Sequence, residues 1–283
     1  MRMWLRMMAV MAALACCAAA RAQDCPGVEA LRGAALLVSY GGVDFSVSVP
    51  EKCRAMQCGL IVDVHGATMT VDEQERAFHL RGLGAAAEGY GAPSPYIVVQ
   101  PQAPGHPPQW RPDLSETVMG FAKCVSAALN VAPGRRHFGG FSQGAYMTAH
   151  FYCENSGFFA SFAAVAGGAE MIKECLGGPH APLLFIQGRS DTFVPFDYAR
   201  EMLDVMKDRL PRQQAKGPDE TIYTSHDMTV DVLLHDASGG MVGGHCVPGG
   251  EGRVGCPASF NAGERVLRFY IASAADKTEK PHS

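Results

Sequence analysis

The sequence predicts an α/β fold, a mostly parallel central sheet with helices on both faces, and three observations carry that reading. Short apolar runs of strand character alternate along the chain with stretches of helical pattern. One of these runs, CGLIVDV over residues 58–64, is continuously apolar in the manner of a strand buried on both faces. Finally, Gly140-Phe141-Ser142-Gln143-Gly144 forms a G-x-S-x-G pattern, entered by a strand-like run over 137–141 and left by an amphipathic helix over 143–153.

Taken in order, residues 34–40 and 45–49 read as two strands joined by Gly41-Gly42. The run 58–64 follows and ends in His65-Gly66-Ala67-Thr68; a helical pattern then spans 71–87, and 96–100 is the next strand. Asp113 is placed to cap a helix that continues to Asn130 and stops before Pro133-Gly134. After the G-x-S-x-G turn come strands at 159–166 and 182–187, the latter ending in Gly188-Arg189-Ser190-Asp191. A helix at 196–210, a late strand at 229–234 and a closing helix at 263–272 complete the pattern. The Pro- and Gly-rich stretches 91–95 and 101–112 are too short for linkers, so residues 23–283 are expected to form a single domain.

Residues 1–22 have the pattern of a signal peptide. Arg2 and Arg6 precede an apolar run over 7–20, and Ala20-Arg21-Ala22 resembles a cleavage site. Cys16, in Ala13-Leu14-Ala15-Cys16, offers a lipoprotein variant of the same export. No stretch is long enough for a comfortable membrane span, so a secreted or periplasmic protein is expected. Removal of Arg2, Arg6 and Arg21 takes the formal charge from -4 to -7, which argues against a nucleic-acid partner. Eight cysteines follow the cleavage site, an even number that suggests up to four disulfides in an oxidising compartment. Short loops favour Cys53–Cys58 and Cys246–Cys256; the other pairings stay open. None of the cysteines has C-x-x-C spacing, so no metal is expected.

The chemistry follows from position. In open α/β sheets, functional groups gather at the carboxyl ends of strands, and four features fall there: 65–68, Ser142, Asp191 and the loop after Leu234. A serine on a tight strand-to-helix turn is lifted out of the sheet, with free helix N–H groups beside it; the competing reading is a chance turn in a chain with 32 glycines. A serine nucleophile needs a base, and the base needs a carboxylate, in the chain order Ser, acid, His. Asp191 stands where the acid belongs, with Asp197 as the fallback and an ordinary turn aspartate as the bland alternative. Among His226, His235 and His245, the last is favoured, because its glycine-rich loop beyond the late strand could bring an imidazole back over Ser142. The oxyanion donors are expected to be the backbone N–H groups of Gln143 and Ala67, and His65 is read as shaping its loop. Thr68 and Trp110 are the candidates for lining the acyl pocket, with Trp110 equally readable as an aromatic packed beneath a loop.

Together, HGATMT after a buried strand, GGFSQGAYMT, QGRSDTFVP and GGHCVPGG resemble the exported α/β-hydrolase esterases, in particular the poly(3-hydroxybutyrate) depolymerase and feruloyl-esterase-type family. The resemblance covers about residues 47–272 and implies carboxylic-ester hydrolysis through an acyl-enzyme, with Ser142, Asp191 and His245 as triad and no metal or organic cofactor. Two departures stand out. Val247 replaces a tryptophan common after the histidine, and Trp110 lies in an unusually Pro-rich loop. With no appended binding module, the expected substrates are small or oligomeric esters rather than crystalline polymer. A peptidase or amidase on the same fold, and a catalytically lapsed exported binding protein, are the other classes to weigh.

Overall fold

The computed structural model describes residues 25–26, 31, 36–154, 157–177, 179–239 and 242–275. The expected signal segment, including Cys16, lies outside them. A ten-stranded sheet runs in the order β1-β2-β4-β3-β5-β6-β7-β10-β9-β8. Its strands are β1 (Leu36–Tyr40), β2 (Val43–Ser48), β3 (Gly59–Val64), β4 (Tyr96–Gln102), β5 (Arg136–Phe141), β6 (Ser161–Val165), β7 (Leu183–Gly188), β8 (Arg212–Ala215), β9 (Glu220–Thr224) and β10 (Thr229–His235). The six central strands, β4-β3-β5-β6-β7-β10, are mutually parallel, while β1, β2, β8 and β9 pair antiparallel at the two edges. Every residue of β3, β6 and β7 is buried, whereas the edge strand β8, RQQA, is exposed throughout. A strand buried on both faces is mostly apolar, with its few polar side chains paired, and an edge strand is kept from pairing with other chains by polar side chains.

Alternation along the central strands feeds two cores. Leu60, Val62 and Phe138 join one, with helices α3 (Leu114–Ala128), α4 (Gln143–Glu154), α5 (Ala169–Cys175) and α6 (Phe196–Arg209). Ile61, Phe141, Leu184 and Ile186 join the other, beneath α1 (Val71–Phe78), α2 (Leu80–Ala85) and α7 (Ala262–Ala275). The sequence expectation of helices on both faces therefore holds.

Several local expectations are corrected. The single helix expected over 71–87 breaks at His79, which takes the left-handed conformation at φ 55°. The first helix is opened by a reciprocal Thr70–Glu73 capping box, and the second is capped by Glu75, whose carboxylate accepts the Arg81 N–H. Asp113 does not cap α3 through its side chain, because that carboxylate is taken by Arg111. Helix α5 and strands β8 and β9, all short and lacking a clean period, were not legible in the sequence. Among the described residues, the disulfides are Cys25–Cys124, Cys53–Cys58, Cys153–Cys175 and Cys246–Cys256, which include both short pairings expected.

One buried carboxyl sits within this sheet. Asp63 on β3 is 2% exposed and accepts hydrogen bonds from Gln74 Nε2 at 2.7 Å and Gln100 Nε2 at 2.8 Å. Burial dominates over those bonds and pushes its carboxyl up to about 7. The native state therefore holds a proton that the unfolded chain releases near pH 4, so Asp63 lowers stability progressively as pH rises from about 4 to about 7. An Asp63→Asn variant should gain on the wild type across that window by on the order of 4 kcal/mol. Melting temperatures of the two proteins from pH 4.5 to 8 check this; parallel curves would show that Asp63 does not titrate there.

Candidate active site

The carboxyl ends of β3, β5, β6, β7 and β10 lie side by side, with Val64 opposite Gly140, Phe141 opposite Val165, and Gly188 opposite His235. Ser142 occupies the step from β5 to α4 in the left-handed region, at φ 53°. Such a backbone costs a non-glycine residue roughly 1–2 kcal/mol and persists only where neighbours over-determine it. Here the Ser142 N–H donates to Val165 O at 2.8 Å, and its carbonyl accepts the N–H groups of Ala145 and Tyr146 that begin the helix. The two glycines of the pattern answer a steric demand. A Cβ on Gly144 would overlap Val64 O, and one on Gly140 would stand 2.6 Å from the same oxygen. Only glycine lets β3, β5 and α4 converge this closely.

Three side chains meet over this turn. His245 Nε2 lies 2.8 Å from Ser142 Oγ, and its Nδ1 lies 2.7 Å from Asp191 Oδ2. An ionised Asp191 requires Nδ1 to carry the proton, which leaves Nε2 free to accept the serine proton. Asp191 is itself fixed by the N–H groups of Phe193 and Val194, both at 2.9 Å on Oδ1, and by Gln187 Nε2 at 2.9 Å on Oδ2. The loops carrying acid and base touch through glycines: a Cβ on Gly244 would stand 2.5 Å from the Ser190 carbonyl carbon and 2.6 Å from the Asp191 nitrogen. The disulfide Cys246–Cys256 ties the next residue to the small two-stranded ribbon β11 (Val247–Pro248) and β12 (Gly255–Cys256).

The competing residues lie elsewhere. His226 is exposed and pairs with Asp227 at the opposite end of β10. His235 is buried under Gly188, with burial holding its imidazole below the usual value. Asp197 sits on the first turn of α6 and pairs with Arg200.

The loop after β3 runs against the serine, since a Cβ on Gly66 would stand 3.1 Å from Ser142 Cβ. Among the described residues, the backbone N–H groups of Ala67 and Gln143 donate to no protein acceptor. His65 shapes this loop as expected. Its Nε2 accepts the Ala103 N–H at 3.0 Å, so Nδ1 holds the proton and donates to Gly66 O at 2.7 Å. Burial lowers its pKa to about 4, which keeps the ring neutral. Trp110 Nε1 donates to His65 O at 2.9 Å. The Gln143 side chain clamps the Trp110 backbone in both directions, accepting its N–H at 2.7 Å and donating to its carbonyl at 3.1 Å. Thr68, by contrast, is exposed at φ 63°, with its N–H given to Pro108 O, and does not line the cavity beside Ser142.

That cavity, of about 450 Å³, is walled by Trp110, Pro112, Tyr146, Met147, His150 and Met171. Sequence reasoning named Trp110 and missed the others. Gln143, Tyr146, Met147 and His150 follow i, i+3, i+4, i+7, one stripe of α4, so the helix pattern could have supplied them. Tyr146 donates its hydroxyl to Glu170 at 2.7 Å, and burial raises its phenol further above the usual range.

No protein-family profile matches the chain, and no curated protein does. Solved structures do. A ferulic acid esterase is similar over 84% of this chain and 97% of its own, at 13% identity and a TM-score of 0.59. The acetyl xylan esterase from Aspergillus awamori is similar over 71% and 93%, at 15% identity and TM-score 0.57. The esterase 2 of Thermogutta terrifontis is similar over 88% and 96%, at 12% identity and TM-score 0.55. The fold is the α/β-hydrolase fold. At these identities the likeness is one of fold, and chemistry has to be argued from the residues.

Gly244→Ala should push the His245 loop off the Asp191 turn while leaving the sheet intact. Labelling of Ser142 by a fluorophosphonate is expected to slow on the order of 100-fold. Wild-type labelling would mean that the two loops do not depend on this contact.

Proposed function

We propose that this chain is an exported serine esterase. The observation that carries the reading is the relay Ser142 Oγ–His245 Nε2–His245 Nδ1–Asp191, built on an α/β-hydrolase fold. Ser142 Oγ attacks the ester carbonyl as His245 Nε2 takes its proton, and the carbonyl electrons move onto oxygen. The N–H groups of Gln143 and Ala67 hold that oxyanion. Collapse breaks the bond to the alcohol, which leaves with the proton from Nε2, and an acyl-Ser142 ester remains. Water then attacks with the same proton traffic, releasing the acid and restoring the serine. Asp191 keeps the imidazole in the productive tautomer and stabilises its charged form.

The cavity suits the acyl arm. Trp110, Met147 and Met171 give it an apolar wall, and its size accommodates an aromatic acid or a short hydroxyalkanoate unit. Feruloyl-type esters and hydroxyalkanoate oligomers, up to polyester, are therefore the proposed substrates. The esterase names of the structural neighbours agree with ester hydrolysis. Four disulfides favour an oxidising compartment, hence secretion or the periplasm, and no helix of the described residues is long and apolar enough to cross a membrane.

The test is hydrolysis by purified protein of nitrophenyl esters of rising acyl length, methyl ferulate and hydroxybutyrate oligomers. Ser142→Ala should reduce turnover of any active substrate by at least about 10⁴-fold while moving the melting temperature only a few degrees. Turnover that survives this substitution would refute the assignment.

A further inference from the structure

An ester bound at Ser142 has two arms, and the residues around the serine treat them differently. The 450 Å³ cavity is walled by Trp110, Tyr146, Met147 and Met171, and neither His245 nor Phe193 contributes to it. The leaving oxygen, however, must receive its proton from His245 Nε2, so the alcohol arm lies on the imidazole side. The cavity is then left for the acyl arm, and the alcohol leaves past the histidine ring.

That ring is flanked by two phenylalanines. Phe141 is buried, with its centroid 5.0 Å from the imidazole. Phe193 stacks on the imidazole at 5.4 Å and an interplanar angle of 29°, yet is 65% exposed. Isolated exposed apolar side chains are ordinary; this one touches the proposed base and is held in place. Its own N–H is bonded to Asp191 Oδ1, as is that of the buried Val194 that follows. A second exposed aromatic, Tyr198 at 39%, lies five residues on, in the first turn of α6. The result is a fixed aromatic surface beside the point where the alcohol departs, with no protein group covering most of it.

We propose that Phe193 is the platform for the alcohol half of the substrate and selects ring-bearing alcohols, whose flat apolar faces stack on it. The inference rests on the esterase reading. An aryl ring and the C–H face of a sugar ring offer the same chemistry, and the experiment separates them. Three esters of one acid are compared, with methyl, benzyl and sugar alcohols, using wild type, Phe193→Ala and Phe193→Trp.

Phe193→Ala, which keeps the backbone N–H on Asp191, should lower kcat/KM for a ring-bearing ester about 3- to 10-fold more than for the methyl ester, chiefly through KM. Phe193→Trp should restore the ring-bearing ester, and the pH profile on the methyl ester should not move. Loss confined to the benzyl ester identifies an aryl alcohol, loss confined to the sugar ester identifies a sugar, and loss on both leaves any ring acceptable; each supports the platform. An equal fall on all three esters, carried by kcat, would overturn it, because Phe193 would then only brace His245. No change on any ester would overturn it as well. Wild-type protein inactive on all three would remove the esterase reading itself, a result distinct from either.

Discussion

The crowding of three backbones at Val64 O is the constraint on which the rest of the site depends. Strand β3 ends there, β5 passes it at Gly140, and the first turn of α4 touches it at Gly144. With side chains at either glycine the helix could not close on the sheet, and Ser142 would relax from its left-handed conformation. The strain of that one residue is small against the many contacts that impose it: a sheet bond to Val165, the helix start, and a packed core on both faces. What the strain achieves is placement. The hydroxyl stands above the sheet edge with the first N–H of α4 beside it.

The partners are brought to this point by a second close approach. Gly188 and Gly244 let the loop after β7 and the loop after β10 pack backbone to backbone, which sets the distance between Asp191 and His245. Neither side chain has slack. The carboxylate is saturated by Gln187, Phe193 and Val194, and the histidine loop is closed by Cys246–Cys256 only one residue beyond the imidazole. A loop with this much glycine would be costly to order without such a crosslink, so the disulfide and the glycines answer one another. The Trp110 segment is fixed by the same economy of parts: Gln143 starts α4 beside Ser142 and uses its side chain to hold Trp110, while neutral His65 joins that segment to the end of β3.

Much of this architecture follows from local pattern. The apolar runs at 58–64 and 182–187 each set five apolar positions in a row, a length that favours a buried strand over a helix. The serine turn declares itself because G-x-S-x-G is read within five residues, and short loops favour the two local disulfides. The order Ser142, Asp191, His245 along the chain, with the first two just past strands and the third in the loop beyond the late strand, is likewise a property of the sequence.

Other features exist only once distant segments meet. The sequence offered three late histidines, and only the closure of the loop after β10 onto the Asp191 turn puts His245 at 2.8 Å from the serine while His235 is buried beneath Gly188. Cys25–Cys124 and Cys153–Cys175 span 99 and 22 positions, distances at which no local rule chooses a partner. Thr68 and Trp110 had equal claims on the cavity until Trp110 was drawn into it by Gln143 and Thr68 was turned outward by its positive φ. The break at His79 was invisible because periodicity runs through it, whereas Glu75 capping the Arg81 N–H is a matter of three-dimensional reach. The sequence by itself determined most of the elements, their order and the chemical types at the strand ends, because these depend on neighbours within about ten positions. Only the tertiary structure decided which of those groups touch, because contact between loops 50 or 100 residues apart depends on the sheet that carries them both.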